Sequence, residues 1–200
     1  MSAAIDNAKA VLREQSRARL RLVSPLERMA ASALLCALLQ RQAEWRQART
    51  VLLFVPLANE PDVTQLVAVA LAAGKTVALP RFDPESQGYA AARIQNPHFD
   101  LHPGQYGIPE PNGNCEPQPL NQLDFTLVPG LAFDWNGRRL GRGQGYYDRL
   151  LASVSGVTCG VAFDPQIITA VPVAPHDMRL NYMLTPTRWL NISDGRAVLK

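Results

Sequence analysis

Val51-Leu52-Leu53-Phe54-Val55-Pro56, then Asp62-Val63-Thr64-Gln65-Leu66-Val67-Ala68-Val69-Ala70-Leu71-Ala72-Ala73-Gly74, then Thr76-Val77-Ala78-Leu79-Pro80 is the stretch that decides the fold. The first run is apolar, rich in strand formers and stopped by Pro56, which predicts a buried strand. Asp62 to Ala73 reads as a helix, with Gly74 just past its end as a C-cap signal. Thr76 to Leu79 is the next strand, stopped by Pro80. A strand–helix–strand unit implies a right-handed parallel crossover.

Upstream, residues 2–22 hold many Ala, Leu and Arg and no Gly or Pro, so they read as a helix. Ser24-Pro25-Leu26-Glu27 starts a second helix, with Ser24 as N-cap, Pro25 at the first position and Glu27 closing a capping box. That helix is expected to run to about Trp45. Downstream, Arg81 to Pro119 is rich in Pro, Gly, Asn and Gln and reads as long loops with one short strand over 89–94. So long a connection in a compact domain is usually functional. Leu123 to Val128 reads as a third buried strand, Tyr146 to Ser153 as a helix and Val157 to Phe163 as a fourth strand. Tyr182 to Thr185 reads as the last strand before the tail. The alternation predicts an α/β fold: a single three-layer, Rossmann-like domain over 1–200, with a mostly parallel sheet and helices on both faces.

A chain of 200 residues, 47% hydrophobic and 18% charged, can bury a real core. The net charge of +3 argues against nucleic acid, which wants a concentrated basic face. It suits an anionic small molecule. Cys36, Cys115 and Cys159 are odd in number and far apart, which disfavours zinc and disulfide frameworks and fits a reducing compartment. Met29 to Leu39, the longest uncharged apolar run, is about half of a membrane span. The opening residues do not read as a secretory signal, and Asp6 and Glu14 do not suit a transit peptide. A cytoplasmic monomer with small-molecule substrates, and with no nucleic-acid or membrane partner, is expected.

In open α/β sheets, ligands bind beyond the carboxyl ends of strands. Two segments lie at such ends. One is the loop with Glu60. The other is Pro129 to Asp148, in which Gly141, Gly143 and Gly145 alternate with Arg142 and Gln144 before a helix start. Glycines let backbone N–H groups crowd around an anion. Arg138, Arg139 and Arg142 can neutralise phosphate oxygens. Asp148 can hold Mg²⁺ together with phosphates. The segment is not a P-loop, because no Gly-Lys-Ser/Thr follows. It is not a dinucleotide fingerprint, because Tyr146 stands where the third glycine belongs. Taken singly, the arginines suit a solvated loop tip, Asp148 a helix-dipole partner, and Tyr146 and Tyr147 packing. His98 and His102, between Pro97 and Pro103, read as surface loop residues.

Leu127 to Asp134 followed by Arg139 to Asp148 resembles the signature of the 5-formyltetrahydrofolate cyclo-ligase (methenyltetrahydrofolate synthetase) family. Lys9-Ala10-Val11-Leu12-Arg13 is similar to its N-terminal element. So are Pro56 to Thr64, Gly107-Ile108-Pro109-Glu110-Pro111 and His176-Asp177 to further motifs, all in order. The resemblance implies MgATP-driven conversion of 5-formyltetrahydrofolate to 5,10-methenyltetrahydrofolate. The formyl oxygen is phosphorylated, N10 attacks the activated carbon, and ADP and phosphate are released. It implies ATP binding by Lys9, Ala10, Val11, Leu12, Arg13 and by Arg139, Leu140, Gly141, Arg142, Gly143, Gln144, Gly145, Tyr146 and Tyr147. Arg142 and Lys9 would be catalytic, Val55, Glu60 and Tyr146 would bind folate, and Asp148 and Asp177 would hold Mg²⁺. His176 would orient neighbours. From spacing alone Lys9 and Arg13 suit a solvated basic face. Gln144 and Asn181 depart from the family pattern, at a phosphate-facing position and before the last predicted strand. A non-catalytic phosphate-ligand binding module and a sugar-phosphate isomerase-type enzyme remain as alternatives.

Overall fold

The protein is described here by a computed structural model covering residues 2–104, 107–192 and 198–199. Its helices are α1 (Ser2–Arg21), α2 (Pro25–Gln40), α3 (Ala43–Gln47), α4 (Thr64–Ala72), α5 (Pro97–Asp100) and α6 (Tyr146–Leu151). Its strands are β1 (Thr50–Leu52), β2 (Thr76–Asp83), β3 (Gly88–Ile94), β4 (Leu101–Pro103), β5 (Pro109–Pro111), β6 (Pro117–Gln118) and β7 (Phe125–Val128), followed by β8 (Ala132–Asp134), β9 (Arg139–Leu140), β10 (Val157–Val161), β11 (Ile167–Ile168), β12 (Tyr182–Leu184), β13 (Trp189–Asn191) and β14 (Val198–Leu199).

Among the described residues, a nine-stranded sheet runs β14-β13-β12-β10-β7-β1-β2-β3-β6. Its centre, β12-β10-β7-β1-β2, is parallel, and antiparallel strands extend both flanks. Small sheets β11-β8-β9 and β4-β5 lie apart from it.

Period-two alternation builds two cores. Val51 and Leu53 face one side with Phe125 and Leu127, against Leu35 and Leu39 of α2, Trp45 of α3 and Leu66 of α4. Leu52 and Val128 face the other side, against Leu150 and Leu151 of α6. The sheet is thus covered on both faces, as parallel strands require. A third cluster docks α1: Leu20 packs on Leu131, Leu140 and Phe163, with Leu12 partly buried beside them. The three cysteines are free and buried. Burial raises the Cys36 thiol to about 11. Among the described residues, no single helix is long and apolar enough to cross a membrane.

Local signals place several ends. The Ser24 capping box forms, and Gly74 takes φ +72 just past the C-cap of α4. Other boundaries move. The helix expected to reach Trp45 stops at Gln40, because the Gln42 amide donates to the Leu38 carbonyl and the chain restarts as α3. This turn sets Trp45 edge-on to Phe125, with ring centroids 5.8 Å apart. The strand expected over Val51 to Val55 ends at Leu52, with one further bond from Leu53 N–H to the Ala78 carbonyl.

Pro80 does not stop β2, which continues to Asp83. Leu53 bonds to Ala78, so the groups of residue 80 point to the same side, beyond the last β1 partner. The missing N–H of Pro80 breaks no ladder bond there. Tyr182 to Leu184 is not the last strand, because β13 and β14 follow it antiparallel. The 81–119 segment, expected as loops with one strand, folds into the end of β2, then β3, α5 and the short β4, β5 and β6.

Candidate active site

Counted in chain order from β2, the parallel strands run 2-1-3-4-5, so β1 and β7 are the neighbours from which the chain departs in opposite directions. That is the switch point at which open parallel sheets bind ligands. A cavity of about 460 Å³ opens there, lined by Phe54, Val55, Leu57 and Glu60 after β1 and by Pro129 and Gly130 after β7. Its volume suits a small organic ligand. Five other segments close it. They are Asp6, Lys9 and Arg13 of α1, Pro80 and Tyr89 of the β2–β3 hairpin, Ile108 to Glu110, and Arg139 to Asp148 with His176 and Asp177.

Helical spacing puts Lys9 and Arg13 on one face. Lys9 Nζ donates to Asp177 Oδ2 at 2.5 Å, across 168 positions of sequence. The Asp177 carboxyl is raised by burial, but the Lys9 hydrogen bond, the Ala174 N–H and the Lys9 charge outweigh this and hold it below its ordinary value. Arg13 Nε donates to the Gly141 carbonyl at 3.0 Å, tying α1 to the glycine segment. Ala10, Val11 and Leu12 do not line the cavity. Each successive residue turns about 100° on a helix, so Ala10 and Val11 are exposed and Leu12 packs on the third cluster. Of the five residues of this element expected to meet ATP, Lys9 and Arg13 line the cavity and the other three face away from it.

The glycine segment closes around Arg139. This side chain is buried, donates to Asp148 Oδ1 at 2.9 Å and lies over the Tyr147 ring. Its Nε has no hydrogen-bond partner among the described residues. Gly143 and Gly145 adopt φ +112 and +67, which side chains rarely tolerate, and Gly145 caps α6. Burial, with the nearby Glu60 charge, pushes the Tyr147 phenol well up, so it stays protonated. Tyr146 meets Phe82 and Tyr89 edge-on, at 5.8 and 5.1 Å between centroids, and the Arg149 guanidinium lies over its ring, 5.3 Å from the centroid.

Arg142 reaches across the cavity. Its Nε and Nη2 donate to Glu60 Oε1 at 3.1 and 2.8 Å, and Nη2 also donates to Asn59 Oδ1 at 2.9 Å. Glu60 is buried, and its Oε2 accepts the Leu57 N–H at 3.0 Å. The fold thus joins the carboxylate expected to meet folate to the arginine expected to meet phosphate.

Among the described residues, no group of three or more His, Cys, Asp or Glu side chains could hold a metal ion. Asp148 and Asp177 both line the cavity, each paired with one cation. Such donors fit a magnesium ion that takes most of its ligands from phosphates and water. They do not form a closed cage.

Sequence reasoning left out Asn59, Tyr89 and Glu110. Glu110 is buried in the cavity wall, where Oε2 accepts the Phe82 N–H at 2.9 Å. Its signal was the Gly107 to Pro111 element. Asn59 lay within the Pro56 to Thr64 element without being singled out, and Tyr89 carried no signal, because hairpin pairing places it. Gln144 lies exposed on the cavity rim, and its carbonyl accepts from Arg149 at 3.2 Å. Asn181 is outside the cavity. Its Oδ1 accepts the Thr158 N–H and hydroxyl at 2.8 and 2.9 Å, clasping β10 to the start of β12. His98 and His102 are exposed and away from the cavity.

A family model described as the 5-formyltetrahydrofolate cyclo-ligase family matches residues 5–186. The chain belongs to that family. The cyclo-ligase of Mus musculus is 30% identical over 191 residues, covering 90% of this chain and 94% of its own. That of Escherichia coli K12 is 34% identical, over 70% of this chain and 80% of its own. The NMR structure of Aquifex aeolicus 5,10-methenyltetrahydrofolate synthetase superposes with a TM-score of 0.84 at 33% identity, covering 95% of each chain. The cyclo-ligase match spans all seven segments that line the cavity.

Proposed function

We propose that this chain, acting as a single-domain cytoplasmic monomer, converts 5-formyltetrahydrofolate to 5,10-methenyltetrahydrofolate at the expense of ATP, in the switch-point cavity. The observation that carries this is the content of that one cavity. Four cations, Lys9, Arg13, Arg139 and Arg142, share it with the buried carboxylate of Glu60 and with Tyr146 and Tyr147. Free buried cysteines suit a reducing compartment.

A formamide is a poor electrophile, because its nitrogen donates into the carbonyl. Transfer of the γ-phosphoryl group to the formyl oxygen gives an iminium phosphate and ADP. N10 then adds its lone pair to that carbon and loses its proton, and the carbon–oxygen bond breaks to release phosphate. Such a reaction asks the protein to position reactants and spread charge rather than to supply a strong base.

Lys9, Arg13 and the Gly141 to Gly145 backbone would hold the phosphates, with Arg142 meeting charge that develops on the transferring group. Glu60 would accept N–H donors of the pterin, beside Val55 and Tyr146. Asp148 and Asp177 would hold Mg²⁺ with the phosphates, where the ion would screen their charge.

Purified protein given MgATP and 5-formyltetrahydrofolate is expected to generate the methenyl chromophore with one phosphate per turnover, and excess EDTA is expected to stop it. Folded protein that binds both ligands yet forms no chromophore would leave only the binding-module reading.

A further inference from the structure

Arg142 is held from two sides by consecutive residues, and only one of them belongs to the cavity lining. Glu60 Oε1 takes Nε and one Nη2 hydrogen, and Asn59 Oδ1 takes Nη2 at 2.9 Å. These bonds occupy the Nε and Nη2 donors. The Nη1 group, with two N–H donors, has no partner among the described residues. We propose that Asn59 is a positioning residue for the reaction, fixing the roll of the Arg142 guanidinium so that its Nη1 edge is presented to an anion in the cavity.

Glu60 alone cannot do this. Both of its bonds to Arg142 converge on one oxygen, a pivot about which the guanidinium can turn. That oxygen is also the one on which a substrate N–H would compete, since Oε2 already takes the Leu57 N–H. Asn59 supplies a second, neutral anchor that no ligand donor displaces from within the cavity, because Asn59 is not part of its wall. Arg142 is therefore kept in place at the moment a ligand draws on Glu60.

This assignment rests on the phosphoryl-transfer role proposed for Arg142, and its test separates the two. Steady-state kinetics would compare wild type, Asn59→Ala, Asn59→Asp, Arg142→Lys and Asn59→Ala/Arg142→Lys, with thermal midpoints showing that each variant folds. Asn59→Ala should lower kcat about tenfold with KM for 5-formyltetrahydrofolate within about twofold, the pattern of an interaction that acts at the transition state. Asn59→Asp, which keeps the acceptor, should restore most of kcat. In the Arg142→Lys background, Asn59→Ala should cost little more, because both changes act through one guanidinium. Full kcat in Asn59→Ala, failure of Asn59→Asp to rescue, or additive losses in the double variant would each overturn the assignment. Absence of chromophore from wild type overturns the proposed activity instead.

Discussion

A methyl group at Gly141 would sit 2.8 Å from Arg139 Nη1. A long side chain usually swings away from such a contact, but Arg139 is buried, bonded to Asp148 and packed over Tyr147. Gly141→Ala should therefore push the guanidinium off Asp148 and leave a partly buried carboxylate unpaired. The expected result is a stability loss on the order of 1–3 kcal/mol together with a fall in turnover, read from denaturant midpoints and the chromophore assay. Wild-type values for both would mean that Arg139 has room to relax. The glycine spacing predicted an unusual backbone turn, and Gly143 and Gly145 do take left-handed φ. The reason for Gly141 was not legible, because what lies beneath it is decided by the fold. Lys9 and Arg13 show the same limit. Their spacing put them on one face, but a solvated face and a cavity wall look alike until Asp177 is brought to Lys9.

At the scale of elements, short-range signals read well. In α2, Ser24 Oγ accepts the Glu27 N–H at 3.2 Å while the Glu27 carboxylate accepts the Ser24 N–H at 2.7 Å. Ser24→Ala should lower stability by about 1 kcal/mol, measured by chemical denaturation, with turnover unchanged because the box lies outside the switch-point cavity. A larger loss would show that the box also sets the angle between α1 and α2. Signals whose meaning depends on a neighbour read poorly. Pro80 looked like a stop, and is not one because β1 has already ended beside it. The strands β4, β5 and β6 are two or three residues long, too short for alternation to show. Pairing with partners distant in sequence defines them.

The whole molecule gathers its cavity from pieces that no local pattern connects, and α1 is one of them. It crosses from the third cluster to the cavity with most of its surface exposed. It is held by Leu20 and Leu12 in that cluster, by Lys9 on Asp177 and by Arg13 on the Gly141 carbonyl. The last two attachments are side chains proposed to hold phosphate. Elements held by few buried contacts open locally at low free-energy cost, while central strands such as β7 open only with the whole fold. A ligand that binds only the docked form adds its binding free energy to the opening cost of α1. Saturating MgATP should therefore slow amide hydrogen exchange around Lys9 to Arg13 by a large factor, about a hundredfold at a hundred times the dissociation constant. Exchange in β7 should slow only as far as global stability rises. In Lys9→Met, which removes the charge but keeps the stem, the protection of α1 by nucleotide should largely vanish, measured against the same variant without nucleotide. Exchange in α1 that is indifferent to nucleotide would remove this helix from the phosphate site and leave Lys9 and Arg13 as struts that hold the cavity shut.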